Sequence, residues 1–421
     1  MKKATIDIRT FENALEKLYG ADATRQKARW LGAIDEFESI FGAGRELALF
    51  SAPGRTEIGG NHTDHQHGRV LAASVDLDVI GVAALNSDGV IRIKSAGFRQ
   101  DCVKIDELEP QEREREKACS LIRGMASGFA SHGYAPGGFD MYTTSEVLKG
   151  SGLSSSAAFE MIVGAAMNSF FAGGALSAMD VAKLGQRSEN LFFGKPSGLM
   201  DQAASASGGF IRIDFGNIEA PDVEKLDFDL SGTGYTLCIV DTGGSHADLT
   251  GEYAAIPGEM KQIASHYGAP VLREVDPARF RRDIPALRRE FGDRAVLRAC
   301  HFFDENARVL EQANALKAND FELFLRLVNE SGNSSFKYLQ NVFCCAAPQE
   351  QGLSLALNIS ERVLSGRGAC RVHGGGFGGT IQAYVPNELL DGYRAALEAV
   401  FGERSCKALH VRHFGAIRLD V

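Results

Sequence analysis

The sequence predicts an α+β fold, and three observations carry that prediction. First, several segments hold apolar residues at helical spacing. Second, short β-branched and aliphatic runs are scattered between those segments. Third, strands and helices mix without a repeat. Residues 10–42 read as helical, with Phe11, Leu15 and Leu18 and then Leu31, Ile34, Phe37 and Ile40 on one face, ended by Gly42 and Gly44. Leu47–Phe50, Val79–Ala83 and Val90–Lys94 read as strands. Residues 156–172 and 178–193 read as two helices, Tyr235–Val240 as a strand and residues 296–330 as helical again. Cys370–Val372 and Thr380–Val385 read as two strands around a glycine turn.

With 421 residues, the chain has room for two or three domains. Asn217–Pro221 reads as a loop, and it suggests an N-terminal domain over residues 1–218 and a C-terminal domain over 219–421. Apolar residues make up 44% and charged residues 24%, a composition that supports sizeable cores in a soluble protein. The net charge is −9 and no block rich in Lys or Arg offsets it, which argues against nucleic acid as a partner. Eight cysteines with no C-x-x-C pair read as reduced core thiols. The opening residues lack an apolar signal core. Met161–Met179 is 19 residues without a charge, but Asn168, Ser169 and the Gly173-Gly174 break make it a buried helix and a turn rather than a membrane span. A cytoplasmic protein is the expectation. Glu112–Lys117 reads as a solvated helix start.

Three segments carry chemistry. Gly150-Ser151-Gly152-Leu153-Ser154-Ser155-Ser156 leads straight into an apolar helix. Its glycines let the backbone turn close to a ligand, its serines suit a helix start, and the helix N-terminus attracts an anion. This is a phosphate cradle without lysine. It is not a Walker loop, and a flexible linker would seldom run directly into an apolar helix. The second segment, Ala52–His65, crowds Arg55, His62, Asp64 and His65 near a turn. Arg and Asp hold hydroxyl groups in fixed directions, which suits polyol recognition. A metal cluster of His62, Asp64, His65 and His67 ranks below sugar binding, and a plain polar loop stays open for this segment alone. The third, His373-Gly374-Gly375-Gly376-Phe377-Gly378-Gly379, fits G-x-G-x-x-G, but a strand rather than a helix follows it, so the dinucleotide reading fails. A lipase oxyanion loop fails too, because no G-x-S-x-G is present. A glycine hairpin packed beneath another element remains possible.

Together these segments resemble, in order and spacing, the three signature motifs of the galactokinase, homoserine kinase, mevalonate kinase and phosphomevalonate kinase superfamily, the GHMP kinases. Within it the chain is most similar to the galactokinase family. Arg55–Asp64 resembles that family's sugar signature and Gly194–Gln202 its catalytic segment. Asn329-Glu330-Ser331 and the stretch from His301 through Glu305 to Arg308 resemble its C-terminal half. The resemblance implies a two-domain fold, an N-terminal domain like ribosomal protein S5 and a C-terminal ferredoxin-like domain, with the active site between them. It implies Asp201 as the catalytic carboxylate and Arg55 as its neighbour at the transferring phosphate. It implies Ser156 and Glu189 as Mg²⁺ ligands, Gly150 to Ser156 as the ATP phosphate loop, and Asn61, His62, Asp64, Gly198 and Tyr253 at the sugar. Arg55 is expected to keep the pKa of Asp201 low; the competing reading of Asp201 is a helix N-cap.

Two departures bear on the sugar. The family commonly reads Gly-Glu-His-Thr-Asp-Tyr where this chain reads Gly60-Asn61-His62-Thr63-Asp64-His65, and the family's glutamate faces the carbon-6 hydroxyl. Ala254-Ala255-Ile256 lacks the family's Asn and Arg pattern. The expectation is therefore an ATP- and Mg²⁺-dependent, monomeric kinase of the C1 hydroxyl of D-galactose. The alternatives are a related acceptor (galacturonate, arabinose or N-acetylgalactosamine) or a sugar- and ATP-sensing regulator without turnover.

Overall fold

The structure, a computed structural model, describes residues 8–147, 152–195, 197–243, 250–345 and 347–420. The strands are β1 (Ala48–Gly59), β2 (Arg69–Leu85), β3 (Val90–Ser95), β4 (Asp101–Lys104), β5 (Phe139–Ser145), β6 (Phe210–Asp214), β7 (Asp222–Leu226), β8 (Tyr235–Asp241), β9 (Ala369–His373), β10 (Thr380–Pro386), β11 (Cys406–Leu409) and β12 (Ile417–Leu419). The helices are α1 (Ile8–Tyr19), α2 (Ala23–Phe41), α3 (Ala118–Ser131), α4 (Ser155–Phe171), α5 (Ala178–Ser188), α6 (Met200–Ser207), α7 (Thr250–His266), α8 (Pro277–Lys317), α9 (Phe321–Ser334), α10 (Gly352–Leu364) and α11 (Leu390–Phe401).

Two sheets organise the chain. The first has the order β12-β1-β2-β5-β3-β4, with β6 also paired to β2 and β7 to β6. Strand β2 is long enough to serve two partners on one side: Val79–Leu85 pairs with β5 and Arg69–Ala73 with β6. Strand β1 is buried along its whole length. Residues that read as a polar loop, Ala52 to Gly59, are therefore the second half of a core strand. Two register shifts, at Pro53/Arg55 and Glu57/Gly59, re-aim side chains along it. Helix α4 packs on this sheet through Ala158, Met161, Ile162 and Ala166. The uncharged stretch of the sequence begins in this helix just after the buried Glu160, and no described helix is long and apolar enough to cross a membrane.

The second sheet has the order β11-β8-β10-β9, every pair antiparallel. Its core includes Cys238, Val240, Val372, Ile381 and Ala383, with Leu353 and Ala356 of α10 and Tyr393 and Leu397 of α11 packed on it. The expected division at 218/219 falls inside the β6–β7 hairpin, where Asp214 pairs with Asp222. That hairpin carries the first sheet on to Leu226, and β12 returns from the far end of the chain to pair with β1. The charged run at 112–117 also differs from a solvated helix start. Glu112–Glu114 is a short 3₁₀ turn, and Glu114 is buried against Arg123 at 2.7 Å. All eight cysteines are free thiols.

Candidate active site

The register shift in β1 turns Arg55 towards α6. Its guanidinium makes two parallel bonds to Asp201, Nε to Oδ1 at 2.6 Å and Nη2 to Oδ2 at 2.7 Å. Its Nη1 donates to the carbonyl of Gly152, and its backbone N–H donates to the carbonyl of Leu153 at 3.0 Å. One residue thus ties β1, the loop before α4 and α6 together. Ser154 Oγ donates to Asp201 Oδ2 at 2.7 Å. Burial pushes the Asp201 carboxyl upward, but the charge and hydrogen bonds of Arg55 and the Ser154 hydroxyl outweigh it and hold it below its ordinary value. Asp201 is not a helix cap: the N-cap position of α6 is Leu199, and both Asp201 oxygens point to Arg55 and Ser154.

Of the phosphate-loop residues, Gly150 and Ser151 lie outside the described residues. Gly152 has φ +71°, and a Cβ on it would meet His373 Nδ1 at 2.8 Å and Thr380 Oγ1 at 2.9 Å. Glycine is required there both by conformation and by space. Leu153 is buried, and Ser155 and Ser156 open α4 half-buried. Glu189 begins a π-turn that continues α5. Its Oε1 accepts from Lys195 Nζ at 3.0 Å and its Oε2 from Gln202 Nε2 at 2.9 Å. The same amide donates to Glu160 Oε2 at 3.0 Å, and burial with the nearby Glu189 charge pushes the Glu160 carboxyl well up. Glu160 joins this cluster with no motif signal of its own, whereas Lys195 and Gln202 fall in the Gly194–Gln202 segment that the family resemblance marked.

The expected sugar contacts gather around the glycine hairpin. Asp64 sits so close to Gly198 that a Cβ there would meet Asp64 Oδ2 at 2.7 Å. Three consecutive carbonyls of the hairpin accept from three of the other predicted contacts. Gly374 O takes Asn61 Nδ2 at 2.7 Å, Gly375 O takes His62 Nε2 at 2.9 Å and Gly376 O takes Tyr253 Oη at 2.6 Å. The third motif is therefore a hairpin that buttresses the sugar segment. Its first residue, His373, accepts at Nε2 from the backbone N–H of Glu57 at 3.3 Å, which leaves Nδ1 to donate to Thr380 Oγ1 at 2.9 Å. Burial and then the Arg55 and Arg371 charges keep His373 neutral.

Asn61, expected at the sugar, bonds within the protein. It is fully buried, and its amide is committed inside the protein. Nδ2 donates to Glu57 Oε1 at 3.0 Å as well as to Gly374 O, and Oδ1 accepts from Asn341 Nδ2 at 2.7 Å and Ser335 Oγ at 3.3 Å. An amide with two donors and two acceptor sites has nothing left for a sugar. Helix α8 supports this turn from behind. His301 Nε2 donates to Asn61 O at 2.9 Å, and Glu305 Oε1 accepts from Gly60 N at 3.1 Å. His62 and His65 bond to each other at 3.2 Å, and among the described residues no three His, Cys, Asp or Glu side chains converge as a metal cluster.

Known proteins resemble this chain over most of its length. Residues 120–209 match the family described as GHMP kinases N terminal domain, and residues 35–85 match the galactokinase galactose-binding signature. The chain is 31% identical over 367 residues to the galactokinase of Glaesserella parasuis serovar 5 (strain SH0165), covering 85% of this chain and 90% of that one. It is 30% identical over 386 residues to the galactokinase of Streptomyces coelicolor (strain ATCC BAA-471 / A3(2) / M145), covering 90% and 95%. Its fold matches the crystal structure of Lactococcus lactis galactokinase complexed with galactose with a TM-score of 0.77 at 24% identity, over 92% of this chain and 99% of that one. Methanococcus jannaschii mevalonate kinase matches at 0.61 and 15% identity, over 86% and 98%. The chain has the GHMP-kinase fold and belongs to the galactokinase family.

Proposed function

We propose that the protein transfers the γ-phosphoryl group of ATP to the C1 hydroxyl of D-galactose, giving galactose 1-phosphate and ADP. The observation that carries this reading is the bidentate Arg55–Asp201 pair, placed where the start of α4, the sugar segment and the glycine hairpin meet. Phosphoryl transfer asks for positioning and charge neutralisation more than for covalent chemistry. Asp201, held ionised, accepts the hydrogen bond of the acceptor hydroxyl and orients it. Arg55 offsets negative charge at the transferring group, and the N-terminus of α4 receives the phosphates. Asp64 and Gly198, with Tyr253 and His62, surround the sugar.

Mg²⁺ fits the donor set. Ser156 and Glu189 offer hard oxygen ligands, to which phosphate oxygens and waters would add, and the Lys195 ammonium already places a cation against Glu189. When bound, the ion supplies charge neutralisation for the phosphates. The protein acts as a soluble cytoplasmic monomer in this reading, which light scattering on the purified chain checks.

The test is a panel of D-galactose, galacturonate, arabinose and N-acetylgalactosamine with Mg-ATP, read as ADP release. Galactose is expected to give the highest kcat/KM. A higher value for another sugar moves the assignment to that acceptor, and saturable sugar binding without ADP release would identify a sensor. The Asn61 departure does not by itself favour an altered sugar, since its amide is consumed by Glu57, Gly374, Asn341 and Ser335.

A further inference from the structure

Ser154 occupies the N-cap position of α4 but does not cap it. Serine is among the favoured capping residues, and the chain shows the ordinary form elsewhere. Ser177, at the N-cap of α5, has extended backbone angles and accepts from Asp180 N in a capping box. Ser154 instead has φ 55° and ψ 67°, the left-handed region that an L-residue other than glycine enters at a cost, and it makes no side-chain cap bond. A residue held in such a conformation points to a demand from the surroundings. The demand here is visible: the hydroxyl is aimed at Asp201 Oδ2, 2.7 Å away.

Two consequences follow from that orientation. Asp201 Oδ2 accepts from both Ser154 Oγ and Arg55 Nη2, whereas Oδ1 accepts from Arg55 Nε alone among the described side chains. A carboxylate oxygen has about two lone-pair sites, so Oδ1 is the oxygen with one to spare. The first N–H groups of α4, meanwhile, are left without the serine hydroxyl that would otherwise cap them.

We propose that Ser154 is a positioning residue for the phosphotransfer. It fixes the plane and charge of Asp201 so that Oδ1 meets the acceptor hydroxyl, and by leaving α4 uncapped it keeps that helix terminus open for phosphate. This deepens the assignment of Asp201 as the carboxylate at the acceptor hydroxyl and rests on it.

Ser154→Gly isolates the hydroxyl, because glycine accepts the left-handed backbone without strain. The expected result is a folded protein whose kcat falls on the order of 10- to 100-fold, with KM for galactose and for ATP nearly unchanged. The acid limb of its rate profile moves to higher pH, because the carboxylate loses a donor that held its pKa down. Ser154→Asn, which tolerates the same backbone and carries an N–H donor, is expected to recover part of the loss. In an Asp201→Asn background, Ser154→Gly should add almost nothing. Full activity of Asp201→Asn would remove the underlying assignment. An inactive Asp201→Asn beside a Ser154→Gly with wild-type kcat and pH profile overturns the positioning role alone. So does a Ser154→Gly whose only change is a raised KM for ATP, which would make Ser154 a phosphate contact. Thermal melting of each variant confirms that the comparison is between folded proteins.

Discussion

Two arginine-paired aspartates, one on β2 and one on α6, look alike and differ in their surroundings. Asp78, on β2, accepts from Arg29 Nη1 at 2.6 Å, Tyr19 Oη at 2.7 Å, Arg412 Nη1 at 3.1 Å and the Ser51 hydroxyl. Asp201 accepts from Arg55 and Ser154. Burial pushes both carboxyls up, and in both the neighbouring arginines and hydroxyls bring them back below the ordinary value. The difference is access. The Asp78 side chain is 0% exposed, whereas that of Asp201 is 27% exposed. Asp78 joins α1, α2, β1 and the segment before β12 into one body, and none of its side chain reaches solvent. Asp201 keeps an opening. An arginine-paired carboxylate closed on all sides serves only the fold, whereas one with an open side has room to meet a ligand.

The largest expected effect breaks the second member of this pair. Asp201→Asn keeps the shape and removes the charge, so kcat should fall by roughly 10²–10⁴-fold in a protein that still folds, with a smaller loss of stability than Asp78→Ala because the side chain is partly open to water. Activity within tenfold of wild type would remove Asp201 from the chemistry. Asp78→Ala should show the reverse. It leaves Arg412 buried without its main partner, so stability should drop by about 3–5 kcal/mol, read from denaturant midpoints, while kcat per folded molecule holds. Equal loss of kcat in both variants would erase the distinction.

Acid pH tests the same logic on a third carboxylate. Glu305, fully buried, is pushed up by burial but pulled down to about 2 by Arg308, His301, Arg371 and Ser331. Its folded pKa lies below its unfolded one, so its contribution is fully present above about pH 4.5 and is lost as pH falls towards 2. That window is worth about 3 kcal/mol. Glu305→Gln should flatten the acid limb of a stability-versus-pH curve between those values, and an unchanged limb would refute its part in it. The smallest effect is expected at Asn61. Asn61→Glu places a second carboxylate against Glu57 and removes two donors from the buried amide network, so it should cost about 1–3 kcal/mol of stability. Its change in preference among sugars should be smaller than that cost. A switch in preferred acceptor without loss of stability would return Asn61 to the sugar.

Much of the architecture was legible because it depends on local pattern. The helical periods at 10–42 and 296–330 became α1–α2 and α8–α9, and the glycine turn between Cys370–Val372 and Thr380–Val385 became the β9–β10 hairpin. Ala52–Gly59 resisted reading because its polar residues sit in a strand buried on both faces, where they are satisfied by distant partners such as Arg371, Gln382 and His373. Pairings that long have no local signature. The pairing of β7 with β6 had no signature either, since β7 belongs to the first sheet by pairing and not by its own sequence.

By itself the sequence determined the residue types and the order of the three segments, since these depend on short spacing, while Asp201 was singled out only by the family resemblance. Tertiary structure alone decided how they are used. Arg55 meets Asp201 across 146 positions, Asn61 meets Asn341 across 280, and Ser154 turns from its helix to the carboxylate. Hydrogen bonds are directional and short, so whether a polar side chain faces a substrate or the protein is settled only when the folded chain places its partners.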